Sequence, residues 1–240
     1  SGAPAGDRRN VALRRFAEGA RQVAVEQGGT FINQFDPYVA IMTREHMRDV
    51  NSSIGGGDEV HPAPAGHLLM AAIILERLNA PALVSRAAIE VADGVGKVTD
   101  AARCAVTNLT LDKGVLAFDR ADECLPMPLD ERARAALGLA PILDRLDRYE
   151  LSVTGLPADR YDLFIDGEFV TTVTREELAA GWNLATNAGP IGRQAAEVLA
   201  LVFKKNLAGQ ALWEARIRPR RKAELPGLQV QLEKLEAQLT

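Results

Sequence analysis

Apolar side chains recur at a helical period near the start of the chain. Between residues 7 and 27 they share one side of a helix while arginines occupy the other, and they are Ala12, Phe16, Ala20 and Val23. Gly28-Gly29 then interrupts the pattern, because glycine gives the backbone more freedom than a helix tolerates. The pattern predicts a first helix over residues 7–27.

A short apolar segment and two further helices are predicted next. Thr30-Phe31-Ile32 has the composition of a short buried strand. Asp36-Pro37 predicts a helix through about Asp49, with Asp36 as the cap and proline in the first position. An apolar helix is predicted from Pro64 to Asn79. A strand followed by helices is typical of a parallel α/β layer.

From about residue 81 the apolar residues alternate with polar ones, which indicates strands. Asp112-Lys113-Gly114 and Asp166-Gly167 are typical of hairpin turns. The predicted strands cover residues 87–91, 105–111, 115–118, 149–154, 161–165 and 168–173, with helical insertions near 129–147 and 174–182. This part of the chain is expected to be an antiparallel β-rich module.

Helical spacing returns at the end of the chain. A long helix is predicted from Ile191 to about Arg216, with a buried stripe formed by Ala195, Val198, Leu199, Val202 and Phe203. Leucines at 228, 232, 235 and 239 form a short heptad-like stripe, which fits docking on the chain's own domain or pairing with another subunit. The basic run 216–222 fits a solvated linker or a surface for anions.

Composition narrows the class of protein. The chain has 240 residues, 47% of them apolar and 25% charged, with a net charge of −4. Such a chain buries a core in one or two domains, and an acidic total argues against a nucleic-acid-binding protein. No apolar run approaches the length of a membrane span. Residues 1–6 contain no hydrophobic signal core, but an upstream signal stays open, so no localisation is predicted.

The two cysteines do not indicate a metal site. Cys104 and Cys124 lie 20 residues apart, without a second cysteine pair or a histidine cluster nearby. Two buried free thiols are expected, although one bridge between neighbouring strands stays open. No metal and no organic cofactor is implied.

The chemistry is concentrated in a loop before the third helix. Gly55, Gly56 and Gly57 precede Asp58, and Asp58 precedes His61-Pro62 by three residues. An aspartate at this distance can accept the Nδ1 proton of the imidazole and leave Nε2 facing a serine hydroxyl. Glycines and prolines give such a loop a defined shape. Asp58 and His61 are therefore the candidate catalytic residues.

This block resembles the last conserved block of the SGNH (GDSL-type) serine hydrolases, where an Asp-x-x-His-Pro segment supplies the histidine base and its orienting aspartate. The resemblance implies a flavodoxin-like α/β/α fold and a serine esterase. Taken with the β-rich part, the chain is similar to a long-form bacterial SGNH hydrolase. Its expected organisation is a C-terminal portion of the hydrolase domain over 1–80, a β-rich module over 81–185 and C-terminal helices over 186–240.

The other blocks of that family are not found. Its Gly-Asp-Ser nucleophile block has no match, because Gly6-Asp7 is followed by Arg8. Asn187-Ala188-Gly189 lacks the residues of the block that supplies an oxyanion-hole asparagine. Either the first half lies elsewhere, or a different serine serves. Ser52 and Ser53 are the nearest to the loop, although no oxyanion-donor pocket is evident around them.

The sequence thus predicts an ester hydrolase for small acyl esters, with His61 as general base and acid and Asp58 holding its tautomer. A non-catalytic remnant or binding module that keeps the loop as scaffold is the alternative from another class. A carbohydrate esterase is the third, and a concave row of exposed aromatic rings would favour it. The nucleophile, the acyl and alcohol specificity, and a homo-oligomer or a missing N-terminal fragment as partner stay open.

Overall fold

The structure is a computed structural model that describes residues 7–52, 61–187 and 189–239. Its α-helices are α1 Arg8–Glu26, α2 Phe35–Arg48, α3 Pro64–Arg77, α4 Ile142–Leu146, α5 Arg175–Ala180, α6 Pro190–Ile217 and α7 Leu225–Glu236. Its strands are β1 Leu83–Ala92, β2 Val95–Ala102, β3 Cys104–Asp112, β4 Val115–Asp122, β5 Arg148–Thr154, β6 Arg160–Ile165, β7 Glu168–Thr174 and β8 Trp182–Asn183. Short 3-10 helices occupy Glu131–Gly138, Leu184–Thr186 and Pro219–Glu224.

Two compact units divide these elements. The larger unit comprises the described residues of 1–124, 129–159 and 174–186, and it holds α1 to α5 with the sheet that contains β1 and β5. The smaller unit comprises the described residues of 125–128, 160–173 and 187–240, and it holds the β6–β7 hairpin with α6 and α7. The boundaries predicted at residues 80 and 185 stay predictions.

The three predicted N-terminal helices are confirmed, with one corrected cap. Asp7 caps α1 by accepting a 2.8 Å hydrogen bond from the Arg9 backbone N–H. α2 begins one residue before the predicted cap Asp36. Asn33 accepts from the Asp36 N–H at 3.1 Å and donates from Nδ2 to the Asp36 carboxylate at 2.7 Å. The Asn33 side chain thus satisfies a backbone N–H in the first turn of α2 that has no partner within the helix, as the side chain of an aspartate would.

The strand predicted at Thr30-Phe31-Ile32 is wrong. These residues lie in the connection between α1 and α2. They pair with no strand of the described residues. A strand exists only where a neighbour satisfies its backbone N–H and C=O groups. Within the described parts of residues 1–80 the structure has three helices and no strand, so the flavodoxin-like arrangement stays a prediction.

The β-rich part is a mixed sheet and not the purely antiparallel module that was predicted. β1 pairs with β2 antiparallel and with β5 parallel, and the strand order is β2-β1-β5-β8. Ala87 opposes Leu151 and Ile89 opposes Val153, and all four side chains are buried. The 3-10 helix Glu131–Gly138 and α4 lie in the connection that this parallel pairing requires. The protein therefore has a mixed α/β fold.

Two-residue turns join three pairs of neighbouring strands, β1–β2, β3–β4 and β6–β7. Lys113-Gly114 and Asp166-Gly167 confirm the predicted hairpins, with φ of 48° and 84° in the first and 53° and 77° in the second. Positive φ at both central residues is the geometry of a type I′ turn, which matches the twist of the flanking strands. Asp93-Gly94 makes the same turn and leads into β2, a strand that was not predicted.

A polar cluster is buried between the β3–β4 ribbon and the mixed sheet. The Arg120 guanidinium donates to Asp122 Oδ1 at 2.9 Å, to Ser85 Oγ at 2.7 Å and to the Glu150 carbonyl at 3.0 Å. It also lies 4.5 Å from the centroid of the Tyr149 ring, a cation–π distance. Ser85 Oγ donates to the Asp122 carboxylate. Because each charge has a partner, the cluster is tolerated inside the protein.

Tyr149 belongs to this cluster and is nearly inaccessible. Burial, followed by the hydrogen bond with the Asp122 carboxylate, raises the pKa of Tyr149 far above its usual range.

The cysteines differ from expectation in one respect. Both are free, but Cys104 is half-buried and Cys124 is exposed, where two buried thiols were predicted.

The smaller unit contains the helix pair α6 and α7 and the β6–β7 hairpin. α7 packs along α6, which confirms that the heptad-like tail docks on its own domain. In α6, Ala195 is buried, whereas the predicted stripe positions Val198 and Phe203 are exposed. In the β6–β7 hairpin, Phe164 and Phe169 meet edge to face with ring centroids 5.7 Å apart, and both are exposed. No helix of the described residues is long and apolar enough to cross a membrane.

Arg120→Ala should destabilise the larger unit by about 3–5 kcal/mol, because it leaves the buried Asp122 carboxylate without its cation. The two side chains are only 9% and 11% exposed. The matched control is Arg86→Ala, since the Arg86–Asp100 pair spans 2.6 Å but is 41% and 44% exposed. That control should cost less than about 1 kcal/mol. Urea unfolding of both variants measures the difference, and equal costs would contradict the structure.

Gly155→Ala should cost about 3 kcal/mol or more, because an added Cβ would collide with the Val91 carbonyl oxygen of β1 at a φ of 77°. Gly167→Ala is the control, since Gly167 has the same φ with open space around its Cα. It should cost only the backbone strain, about 1 kcal/mol. Thermal unfolding compares the pair.

The free energy of unfolding should fall as the pH rises above about 10, where tyrosine ionises in the unfolded chain but not at Tyr149 in the folded one. The native state then holds a proton that the unfolded state has lost, so each step up in pH favours unfolding. Tyr149→Phe should remove this part of the pH dependence. Tyr38→Phe tests the other tyrosine whose pKa burial raises. An unchanged alkaline slope in Tyr149→Phe would refute the assignment.

Candidate functional site

His61 lies at the entrance to α3. It is exposed and sits in a bend, followed by Pro62, Ala63 and Pro64, where the helix begins. Proline at the first helical position is pre-organised for the helix, and the prolines stiffen the approach to it. The imidazole therefore reaches solvent from a fixed point on the helix end.

The first turns of α3 are anchored in the core of the larger unit. Ala65, Gly66 and Leu69 are buried, and Leu69 is only 1% exposed. The helix packs against the 3-10 helix Glu131–Gly138 and against α4. This packing fixes the helix and, through it, the position of His61.

The second predicted catalytic residue lies outside the described residues. Asp58 and the alternative nucleophile Ser53 both belong to the stretch 53–60, of which the structure describes nothing. The pairing of Asp58 with His61 thus stays a prediction.

Ser52, the other nearby serine, is engaged by a carboxylate. It follows α2, where its backbone N–H donates to the Asp49 carbonyl at 3.0 Å. Its hydroxyl donates to Glu45 Oε1 at 3.4 Å. Glu45 in turn lies 3.5 Å from the Arg48 guanidinium. A hydroxyl held by an ion-paired carboxylate is not arranged as a nucleophile paired with an imidazole base. Ser52 lies beyond the end of α2 at Arg48, so helical spacing gives no signal from which this contact could have been predicted.

The two remaining histidines, His46 and His67, lie within helices. His46 lies half-buried in the last turn of α2. His67 is exposed in the first turn of α3, and its backbone N–H donates to the Ala63 carbonyl at 3.0 Å. Within residues 7–52, 61–187 and 189–239, no group of three or more histidine, cysteine or acidic side chains is arranged to hold a metal ion.

One further contact links α3 to the connection that follows α1. The Gln34 side chain donates from Nε2 to the Met70 carbonyl at 3.0 Å. Met70 is six residues beyond Pro64, which is roughly 9 Å along the helix axis. The segment that ends at Gln34 is therefore held beside the helix that carries His61 at its start.

Comparison with known proteins gives one structural likeness. The fold is similar to that of BT4096, a gut microbial diltiazem-metabolizing enzyme, with a TM-score of 0.76 and 25% sequence identity. The match covers 90% of this chain and 52% of that chain, so this chain spans about half the length of the protein it resembles. No protein-family model and no curated protein matches the sequence.

The likeness concerns the mixed α/β fold and links it to an enzyme. It extends over both compact units, because nine tenths of the chain is matched. The likeness does not identify the SGNH family, which the Asp58–His61 block resembles. What the exposed imidazole at the start of α3 does chemically is a matter of proposal.

Proposed function

We propose that this chain supplies the histidine base and its orienting aspartate to an ester hydrolase of the SGNH type. The observation that carries the proposal is the exposed His61 imidazole, held by prolines at the start of an anchored helix. The Asp-x-x-His-Pro pattern and the likeness to a diltiazem-metabolizing enzyme support it. The flavodoxin-like arrangement of the hydrolase domain belongs to the same proposal.

In the proposed reaction, Asp58 accepts the Nδ1 proton of His61 and fixes the tautomer. His61 Nε2 then removes the proton of a serine hydroxyl as that oxygen attacks the ester carbonyl carbon. The same proton passes to the departing alkoxide when the carbon–oxygen bond of the ester breaks. Water repeats the sequence on the acyl-serine, which releases the acid and restores the serine. No cofactor takes part in these steps.

The serine is proposed to come from a segment outside this chain. Ser52, the described serine nearest the loop, donates its hydroxyl to the Glu45 carboxylate. This chain also spans about half of the enzyme it resembles, which leaves the other half to provide a nucleophile and an oxyanion hole.

Small acyl esters are the proposed substrates. Diltiazem is an acetate ester, and the name of BT4096 connects that compound to the fold shared with this chain. A carbohydrate esterase is less well supported. Tyr149 lies in the core, and the Phe164 and Phe169 rings are inclined by 70°, so they form no flat platform for a sugar. A non-catalytic binding module is the alternative that the experiment below excludes or supports.

The test uses a hybrid protein in which this chain replaces the matched part of BT4096. Hydrolysis of 4-nitrophenyl acetate should fall by about 10³-fold or more in His61→Ala, because a triad member is lost. His67→Ala is the matched control, since it removes another exposed imidazole near the same helix end. Ser52→Ala should also leave turnover unchanged. Turnover that survives His61→Ala would overturn the proposal.

A fluorophosphonate probe provides an independent reading. It should label one serine of the hybrid outside this chain, and labelling should require His61. A folded hybrid that neither turns over esters nor takes up the probe would favour the non-catalytic module.

A further inference from the structure

The open side of α1 carries its largest apolar residues. Ala12, Leu13, Phe16, Ala20 and Val23 fall within an arc of about 100° on the helix, and we call them the α1 stripe. All five are exposed, with Phe16 at 77% and Val23 at 59%. An amphipathic helix normally turns such residues toward a core.

The packed side of α1 is different in character. Asn10 is fully buried, and Ala17 and Ala24 are half-buried on the arc next to the stripe. α1 contacts α2 within the larger unit. Small and polar residues thus face the chain's own core, while the large apolar ones face outward. This is the reverse of what a helix at a free surface shows, so the stripe has the character of an uncovered interface.

The segment that follows α1 also lacks a pairing strand among the described residues. Thr30, Phe31, Ile32 and Asn33 form a connection without regular secondary structure, and no strand of the described residues pairs with it. Phe31 and Ile32 are half-buried. Hydrogen bonds hold both ends of the segment. The Gly29 N–H just before it donates to the Ala24 carbonyl at 2.7 Å, and the Gln34 side chain just after it donates to the Met70 carbonyl. A segment that is held at both ends, contains strand-favouring side chains and has no paired strand is a template for strand addition.

The likeness to BT4096 supplies an occupant for this surface in the inference that follows. Nine tenths of this chain matches only 52% of that chain, so nearly half of the larger protein lies outside the match. The bond from Gln34 to α3 brings the segment 30–33 beside the helix that starts next to His61. A polypeptide that covers the segment therefore lies against the same helix that follows His61 in the chain.

We infer that the α1 stripe and the segment 30–33 form the docking surface for the part of the hydrolase that carries the nucleophilic serine. That partner has an α/β segment with an open edge strand, which pairs with residues 30–33, and an apolar face that covers Phe16 and Val23. The inference rests on the proposed function, since it names the partner of the same site. The partner belongs to the same polypeptide or to a second chain.

Hydrogen exchange at the backbone amides of Phe31 and Ile32 tests the inference. In the isolated chain these amides should exchange quickly. In the hybrid with BT4096 they should exchange on the order of a hundredfold more slowly, because strand pairing occupies them. Equal rates in the two proteins would overturn the inference. Slow exchange already in the isolated chain would also overturn it, since the segment would then have an internal partner.

Two double variants show whether the stripe is involved. Phe16→Asp with Val23→Asp should return the exchange in the hybrid to the rate of the isolated chain. Val95→Asp with Val115→Asp is the control, because both valines are 65% exposed at turns of the β-rich part. The control should keep the slow exchange. Slow exchange retained in the first variant would remove the α1 stripe from the interface.

A hybrid can also fail through its junctions, so the second arm works in trans. The part of BT4096 outside the match is produced separately and mixed with the 240-residue chain, and the same amides are followed. Protection in neither arm overturns the inference. Protection of these amides without fluorophosphonate labelling supports the docking surface but overturns the proposed serine hydrolase. Labelling without protection supports the hydrolase and removes the docking surface.

Discussion

The parallel pairing of β1 with β5 is the constraint on which the larger unit depends. Parallel neighbours cannot be joined by a tight turn, so the chain must cross over between them. The 3-10 helix Glu131–Gly138 and α4 lie in that crossover, and both pack on α3. The helix that presents His61 is thus held by elements whose place is set by two strands that follow it in the chain, β1 directly and β5 about 70 residues later. Damage to the sheet would reach the site through this packing.

The buried cluster around Arg120 fastens the β3–β4 ribbon to the same two strands. Its guanidinium contacts Ser85 of β1 and the carbonyl of Glu150 in β5, and it pairs with Asp122 of its own strand. Apolar contacts alone would let the ribbon slide, because they have no preferred direction. Hydrogen bonds of defined geometry fix the position of the ribbon on the sheet.

Sequence periodicity predicted the helices and the tight hairpins, because those depend on residues close together in the chain. Lys113-Gly114 and Asp166-Gly167 are examples, and Asp93-Gly94 carried the same signal for the unpredicted β2. The parallel pairing was missed because alternation does not reveal which strands are neighbours. The strand at 30–32 failed since pairing depends on a partner that the described residues lack. For the site, the loop chemistry predicted His61, while the contact of Ser52 with Glu45 depends on the fold of α2.

The distance between β1 and β5 along the chain has a consequence for synthesis. About 55 residues separate the end of β1 from the start of β5. At roughly 5–20 residues per second, a ribosome needs about 3–11 s to produce them. During that interval the buried face of β1, with Ala87 and Ile89, has no parallel neighbour. The nascent chain therefore passes through a stage in which an apolar strand edge is open to chaperones and to other nascent chains.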